Sequence, residues 1–197
     1  MLGSAGYERI AGVDEAGRGS LAGPVVAAAV IMDPHRVVPG VDDSKKLSRL
    51  RRERLEPAIR RASLASAVVR VPPDIIDRIN ILEATRRAMS EALTALDPKP
   101  DCAVVDAVPL ADLPCPSLPL VRGDCLSYGV ACASVLAKVD RDRWMTQMHR
   151  HYPDYGFADH KGYGAPAHLE ALRKHGPSPI HRLTFRSVLP SHPKDLG

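Results

Sequence analysis

The chain has 197 residues, 45% of them hydrophobic and 25% charged, the balance of one folded domain, or one domain with a small appendage, and not of a disordered or fibrous chain. Lys and Arg number 27 against 23 Asp and Glu, a formal net charge of +4 that biases the surface mildly toward acidic partners. Its four cysteines, Cys102, Cys115, Cys125 and Cys132, form no CxxC pair, no secretory layout opens the chain, and no apolar run approaches the roughly 20 residues of a membrane span; a reducing, cytoplasmic setting without a membrane partner is expected.

The segments YERIAGVDE (7–15) and GPVVAAAVIM (23–32) predict two apolar strands joined by a glycine loop, the second ended by Asp33 and Pro34. LSRLRRERLEPAIRRA (47–62) places Leu55, Ala58, Ile59 and Ala62 at helical spacing, while Pro57 removes an interior hydrogen bond and favours a kink. Its basic residues suit either a phosphate backbone or a solvated helix face. LASAVVRVP (64–72) reads as a strand, DIIDRINILEATRRAMSEALTAL (74–96) as one or two helices, and DCAVVDA (101–107) as a short buried strand. LPLVRGD (118–124) repeats the pattern of an apolar strand running out into an acid. LSYGVACASVLAKVDRDRWMTQMHR (126–150) is the longest helical pattern, with Ser134, Lys138 and Arg141 spaced as one polar stripe. APAHLEALRKHG (165–176) predicts a last helix stopped by glycine, before PSPIHRLTFRSV and a polar tail. Strands first, then helices, then both mixed: the order predicts an α/β layer fold, a central mixed sheet flanked by helices.

Three of the strands end in acids: Asp14 with Glu15, Asp106, and Asp124. Strand ends are where such folds place their chemistry, because the scaffold fixes the backbone while the edge stays open. Four carboxylates converging there repel one another unless a cation neutralises them. With no Cys or His recurring beside them, hard divalent ions with oxygen ligands, Mg²⁺ or Mn²⁺, fit better than zinc. Two such ions roughly 3.5–4 Å apart activate a water and stabilise a leaving oxygen in phosphodiester cleavage. Solvated strand ends are the plainer alternative.

The loop AGRGSLAG lacks both the strand-to-helix G-x-G-x-x-G and the Gly-Lys-Ser/Thr of the usual nucleotide cradles. Close approach of bare backbone to a polar ligand and a simple tight turn both stay open. The eight histidines carry no HExxH and no Cys pairs, so surface and packing roles are expected of them.

Taken together and in order, GVDEAGRGSLAGPVVAAAV, DDSKKLS, INILEATRRAM, VRGD, SVLAKVDRDRWM, HKGYGAPAH and SPIHRLTF resemble bacterial ribonuclease HII over about residues 8–188. The resemblance implies a ribonuclease H-like fold with a small helical C-terminal region, divided into a catalytic domain over 1–150 and a C-terminal helical segment over 151–197 that carries KGYG and the tail. It implies a metal-dependent endonuclease that hydrolyses RNA in RNA/DNA hybrids and nicks DNA duplexes 5′ of embedded ribonucleotides. Such nicking leaves 3′-OH and 5′-phosphate ends and serves ribonucleotide excision repair and primer removal. Two Mg²⁺ or Mn²⁺ ions are expected with substrate bound. Carried over residue by residue, Asp14, Glu15, Asp106 and Asp124 match the family's metal-binding acids. Gly17, Arg18 and Gly19 match the GRG motif that reads the ribose 2′-OH and adjacent phosphates, and Tyr163 matches the tyrosine that contacts the same ribose and checks the neighbouring deoxynucleotide. The 2′-OH is the group that separates RNA from DNA.

Lys45, Lys46, Ser134, Lys138 and Arg141 suit phosphate contacts that fix register without reading bases, with structural salt bridges as the rival role. The chain departs from the family pattern at Ala107, where glycine is common, and at Ala165, where threonine is usual. Its glycine-loop sequence, and a first strand starting by about residue 7, favour ribonuclease HII over the sister group HIII. RNA/DNA hybrid and ribonucleotide-containing DNA are the expected partners of a monomer, and the tail LPSHPKDLG carries no aromatic clamp-binding motif. Another two-metal nuclease of the same fold class and a non-catalytic nucleic-acid-binding module are the competing functions, separated by a demand for the 2′-OH and by metal-dependent product.

Overall fold

Five strands form one mixed sheet in the order β3-β2-β1-β4-β5. The structure, a computed structural model, describes residues 6–106, 108–110, 113, 115–120 and 123–189. Ala107, Val121 and Arg122 of the VRGD run, and the tail from residue 190 onward lie outside these. Strands β1 (Ile10–Ala16) and β2 (Val25–Met32) pair antiparallel, as do β2 and β3 (Ser63–Val71). Strands β4 (Cys102–Asp106) and β5 (Ser117–Leu120) extend the sheet parallel to β1. This is the mixed sheet flanked by helices that the element order predicts.

The central strand explains the layering. VVAAAVIM is buried on both sides. Its odd positions Val25, Ala27, Ala29 and Ile31 pack with Ile76, Ala84, Met89 and Leu93 of α2 (Pro73–Thr94). Its even positions Val26, Ala28 and Val30 pack with Leu55 and Ile59 of α1 (Arg49–Ala62) and with Val135, Leu136 and Val139 of α4 (Tyr128–His151). Alternation along a strand thus sorts one run of small apolar side chains into two cores. A third cluster docks the C-terminal residues on the far end of α4: Met145 packs with Ala22, Tyr155, Phe157 of α5 (Phe157–His160) and Leu172 of α6 (Pro166–His175).

Three local outcomes depart from the sequence reading or resolve it. Helix α1 is capped by Ser48, whose side chain accepts from Arg51 N–H, and it continues through Pro57. The 74–96 segment is broken at Asn80, which adopts φ 67° and ψ 166°; its Oδ1 accepts from Leu82 and Glu83 N–H and caps the second half. The strand expected over 118–124 is described over Ser117–Leu120, and Asp124 lies in the short helix α3 (Gly123–Leu126).

One contact sets how closely α4 lies on the sheet. A Cβ built on Gly12 of β1 would fall 2.1 Å from the carbonyl carbon of Gly129 in the first turn of α4, so backbone meets backbone there. Asp14 shares the face of Gly12 by the period of two, and Ser134 follows Gly129 by little more than one helical turn. Helix α4 therefore delivers Ser134 beside Asp14.

Substituting Gly12→Ala is expected to destabilise the protein by about 3 kcal/mol, since neither backbone can yield. Gly129→Ala, whose Cβ would lie 3.4 Å from Gly12 Cα, is expected to be close to neutral. Urea unfolding of the two variants checks the asymmetry; equal midpoints would refute it.

Candidate active site

Strand pairing brings the first two acids together. In the parallel β1–β4 ladder Val13 faces Val105, so Asp14 and Asp106 are the next residues on neighbouring strands, which lie about 4.8 Å apart. Asp14 is 4% exposed and accepts from Glu15 N–H at 2.7 Å; the hydroxyl of Ser134 lowers its proton affinity, and Ser134 Oγ lies 2.7 Å from Ser44 Oγ. Asp106 Oδ1 accepts from Gly123 N–H at 2.7 Å, which ties the end of β4 to the start of α3 and so brings in Asp124. Lys45 Nζ stands 3.6 Å from Asp124 Oδ2. Glu15 holds a long contact, 3.5 Å, from Oε1 to Arg18 Nη1, and its other carboxylate oxygen, Oε2, is buried without a partner among the described residues.

Crowding raises the proton affinity of these acids. Burial is the largest cause at Asp14, followed by the charges of Glu15 and Asp106. Burial also raises Glu15, opposed by Arg18 and assisted by Asp106, and it raises Asp106, assisted by Asp124. At Lys45 the charges of Asp124, Asp14, Asp43 and Asp106 outweigh the opposing effect of burial and raise its pKa. Among the described residues, Lys45 and Arg18 are the cations that act on these carboxylates, so the cluster calls for further positive charge. All four acids offer hard oxygen donors, and the orphaned Glu15 Oε2 is an available ligand atom; both fit Mg²⁺ or Mn²⁺. Asp43 adds another nearby carboxylate that the sequence reading passed over: ligand atoms of Asp43, Asp124 and Cys125 lie within 4.8 Å of one another. Its Oδ1 accepts from Lys45 N–H at 2.8 Å, which shapes the turn that presents that lysine.

The glycine loop is built around two buried guanidinium groups. Gly17 has φ +93°, and a Cβ there would lie 1.9 Å from Arg141 Nε. Arg141 donates to the carbonyls of Pro24, Lys161 and Ala22 and to Ser20 Oγ, at 2.6–3.0 Å. Arg182 donates to Gly23 O and Arg18 O, both at 2.9 Å. Desolvation lowers both arginines, Arg182 to about 9; a guanidinium keeps its proton in proteins. Arg141 is thus fully buried in the loop's interior, not on an open stripe with Lys138. Gly19 meets nothing where its Cβ would stand, leaving its backbone bare toward the cleft.

That cleft has a volume of about 230 Å³; Asp14, Glu15, Gly17, Arg18, Gly19, Lys45, Asp106, Ser134, Lys138 and Tyr163 line it, with Ser44 and Ala16. Asp124 is reached through Lys45 and Gly123. Tyr163 is half-exposed, with Arg141 Cζ 5.3 Å and Lys138 Nζ 5.5 Å from its ring centre. Lys138 also pairs with Asp142 at 2.8 Å. The four acids, Gly17, Arg18, Gly19, Lys45, Ser134, Lys138 and Tyr163 therefore gather in or beside one cleft, whereas Lys46 is exposed and pairs with Asp42 at 3.4 Å. Arg182, 164 residues from Arg18, was missed because no local pattern marks it.

The Ribonuclease HII family model matches residues 11–188 of this chain. A ribonuclease HII from Ruminiclostridium cellulolyticum is 51% identical over 182 residues, 92% of this chain and 71% of that protein. Another, from Pelobacter propionicus, is 52% identical over 183 residues, 93% of this chain and 84% of that protein. Among solved structures, ribonuclease H2 from Pyrococcus horikoshii OT3 superposes with a TM-score of 0.80 at 27% identity, covering 92% of this chain and 95% of that one.

The raised acids define a pH signature. Asp14, Glu15 and Asp106 bind protons more tightly folded than unfolded, so their contribution to stability is greatest at low pH. It declines as pH rises through their unfolded values near about 4 and toward the higher folded ones. In chelator, Asp14→Asn is expected to melt above the wild type at pH 8, and the gap is expected to narrow at pH 5. Saturating Mg²⁺ or Mn²⁺ should raise the wild type more than the variant. Thermal unfolding under the four conditions checks this; a wild type indifferent to divalent ions would contradict it.

Proposed function

The chain belongs to the ribonuclease HII family and is a type 2 ribonuclease H, a metal-dependent phosphodiester endonuclease, and we propose that Asp14, Glu15, Asp106 and Asp124 hold two Mg²⁺ or Mn²⁺ ions at its active site. The observation that carries this reading is the convergence of buried, mutually repelling carboxylates with an unpartnered Glu15 oxygen in one cleft. When bound, the ions supply an activated water and charge stabilisation of the leaving oxygen. Asp14, flanked by Glu15 and Asp106, is suited to bridge them. Asp124 completes the set from α3, where the Gly123 N–H bond to Asp106 holds it in place.

The substrates are the RNA strand of RNA/DNA hybrids and DNA containing single ribonucleotides. Gly17, Arg18 and Gly19 recognise the 2′-OH. The buried arginines fix the loop from beneath, and its open backbone can approach the ribose without a side chain in the way. Tyr163 presents its ring to the same sugar. Arg18, whose contact with Glu15 is long, is suited to turn toward a phosphate. Lys45, Ser134 and Lys138 border the cleft and position the backbone without reading bases. Scission on the phosphate 5′ of the recognised ribose, leaving 3′-OH and 5′-phosphate ends, is what the likeness to ribonuclease HII implies.

A labelled DNA duplex with one embedded ribonucleotide is expected to be nicked on its 5′ side with Mg²⁺ or Mn²⁺ and left whole in chelator, while an all-DNA control stays intact. Asp14→Asn is expected to lower the rate about a thousandfold, equivalent to about 4 kcal/mol of lost transition-state stabilisation. Lys138→Glu is expected to weaken binding and to reduce the salt dependence by about one to two phosphate contacts. Cleavage of the all-DNA control would sink the 2′-OH reading, and a folded Asp14→Asn protein cutting at the normal rate would sink the metal assignment.

A further inference from the structure

Tyr163 is held by more than its ring contacts. Its carbonyl oxygen lies 2.8 Å from Nδ1 of His168, whose Nε2 lies 2.9 Å from Nε2 of His181. His181 Nδ1 in turn lies 2.9 Å from Ser178 N and 2.8 Å from Ser178 Oγ. Both imidazoles are buried, among the rings of Tyr155, Phe157 and His160.

The two ends of this chain determine where every proton sits. A backbone N–H can only donate, so Ser178 N–H makes His181 Nδ1 an acceptor, and the neutral ring must carry its hydrogen on Nε2. A carbonyl can only accept, so His168 must carry its hydrogen on Nδ1 and present a lone pair at Nε2. His181 Nε2–H then donates to His168 Nε2, with one hydrogen in each gap. An extra proton on His181 would face Ser178 N–H, and one on His168 would face His181 Nε2–H. Burial lowers the proton affinity of both rings, His181 to about 4, so the chain is intact at neutral pH.

The same short segment also grips the glycine loop. Arg182 follows His181 and donates to the carbonyls of Arg18 and Gly23, and its own N–H donates to Leu21 O at 2.9 Å. Leu21 N–H donates to Gly162 O, next to Tyr163, at 2.8 Å. Residues 178–182 therefore hold the loop through Arg182 and the tyrosine turn through the two histidines. Apolar side chains could fill the same volume; what the imidazoles add is a fixed direction for the Tyr163 carbonyl, and with it a fixed distance between the two recognition elements.

We propose that His168 and His181 are positioning residues that orient Tyr163 against the glycine loop through this imidazole relay. The inference rests on the reading of Tyr163 as the aromatic that faces the ribose. It extends the recognition apparatus to two side chains that line no part of the cleft.

The test is a double-mutant cycle on the single-ribonucleotide duplex with His168→Phe, Tyr163→Ala and the double variant, each checked for folding by thermal unfolding. His168→Phe alone is expected to lower kcat/KM about tenfold, the equivalent of about one lost positioning hydrogen bond. In the Tyr163→Ala background it is expected to add no further loss. If the two losses multiply, or if His168→Phe cuts at the full rate while Tyr163→Ala is slow, the relay is overturned and the tyrosine reading stands. If Tyr163→Ala itself cuts at the full rate, the tyrosine reading fails and the relay falls with it. His181→Leu replaces His168→Phe in the cycle should the latter not fold. Ring ¹⁵N chemical shifts of the wild type at pH 7 read the tautomers directly: Nδ1–H for His168 and Nε2–H for His181 are expected, and any other pair refutes the relay.

Discussion

The parallel pairing of β1 with β4 is the constraint from which the site follows. Because Val13 faces Val105, the residues that come next on the two strands are both aspartates, and the sheet holds them side by side whether or not their charges tolerate it. Burial adds to that closeness in raising their proton affinity, and protonation or a cation relieves both. The rest of the fold accepts the strain and organises it. Gly12 lets α4 press onto β1 and bring Ser134 to Asp14, and Asp106 uses one oxygen to anchor α3, which sets Asp124 beside it. The stability lost to repulsion in the free protein is the binding energy available to divalent ions.

A second arrangement works with the opposite charge. Arg141 and Arg182 lie in the interior without a carboxylate partner, compensated mainly by backbone carbonyls of the loop from Arg18 to Pro24. Carbonyls that turn inward to the arginines hold the loop from within, and the bare face of Gly19 is left toward the cleft. A guanidinium suits this because its planar fork can hold several acceptors in fixed directions, which an ammonium group cannot. Cationic charge under the loop and anionic charge at the strand ends also favour a substrate whose phosphates lie near the former and whose scissile group, with its ions, lies over the latter.

Much of this was legible in the sequence, and the misses have physical causes. Strand alternation, the capping Ser48 and the long apolar pattern of α4 are local signals, and local signals read well. The run of acids after apolar stretches was informative because strand ends meet at one edge of a sheet, so the convergence of Asp14, Glu15 and Asp106 could be expected from the strand pattern. Asp124 was placed at a strand end and lies in a short helix, because an apolar run ending in Gly-Asp does not distinguish a strand from a strand followed by one helical turn. Arg141 was misjudged for a different reason. Its spacing from Ser134 and Lys138 is that of one helix face, and helical periodicity cannot say that the glycine loop and Lys161 will cover the end of that face. Asn80 and Arg182 owe their roles to a backbone torsion and to a contact across 164 residues, neither of which has a local pattern.

The distribution of burial indicates how recognition is kept rigid while chemistry stays adjustable. Arg18 and Lys45, which can meet the substrate, are largely exposed and held only by long ion pairs, so binding can redirect them at small cost. The groups beneath them, Arg141, Arg182, His168 and His181, are buried, and each holds at least one backbone partner that cannot rotate away. A 2′-OH adds a single polar group to an otherwise similar sugar, so telling it from hydrogen demands donors and acceptors already in place. Placing the fixed polar network one layer below the contact surface meets that demand without presenting an unpaired charge to every DNA duplex the protein encounters.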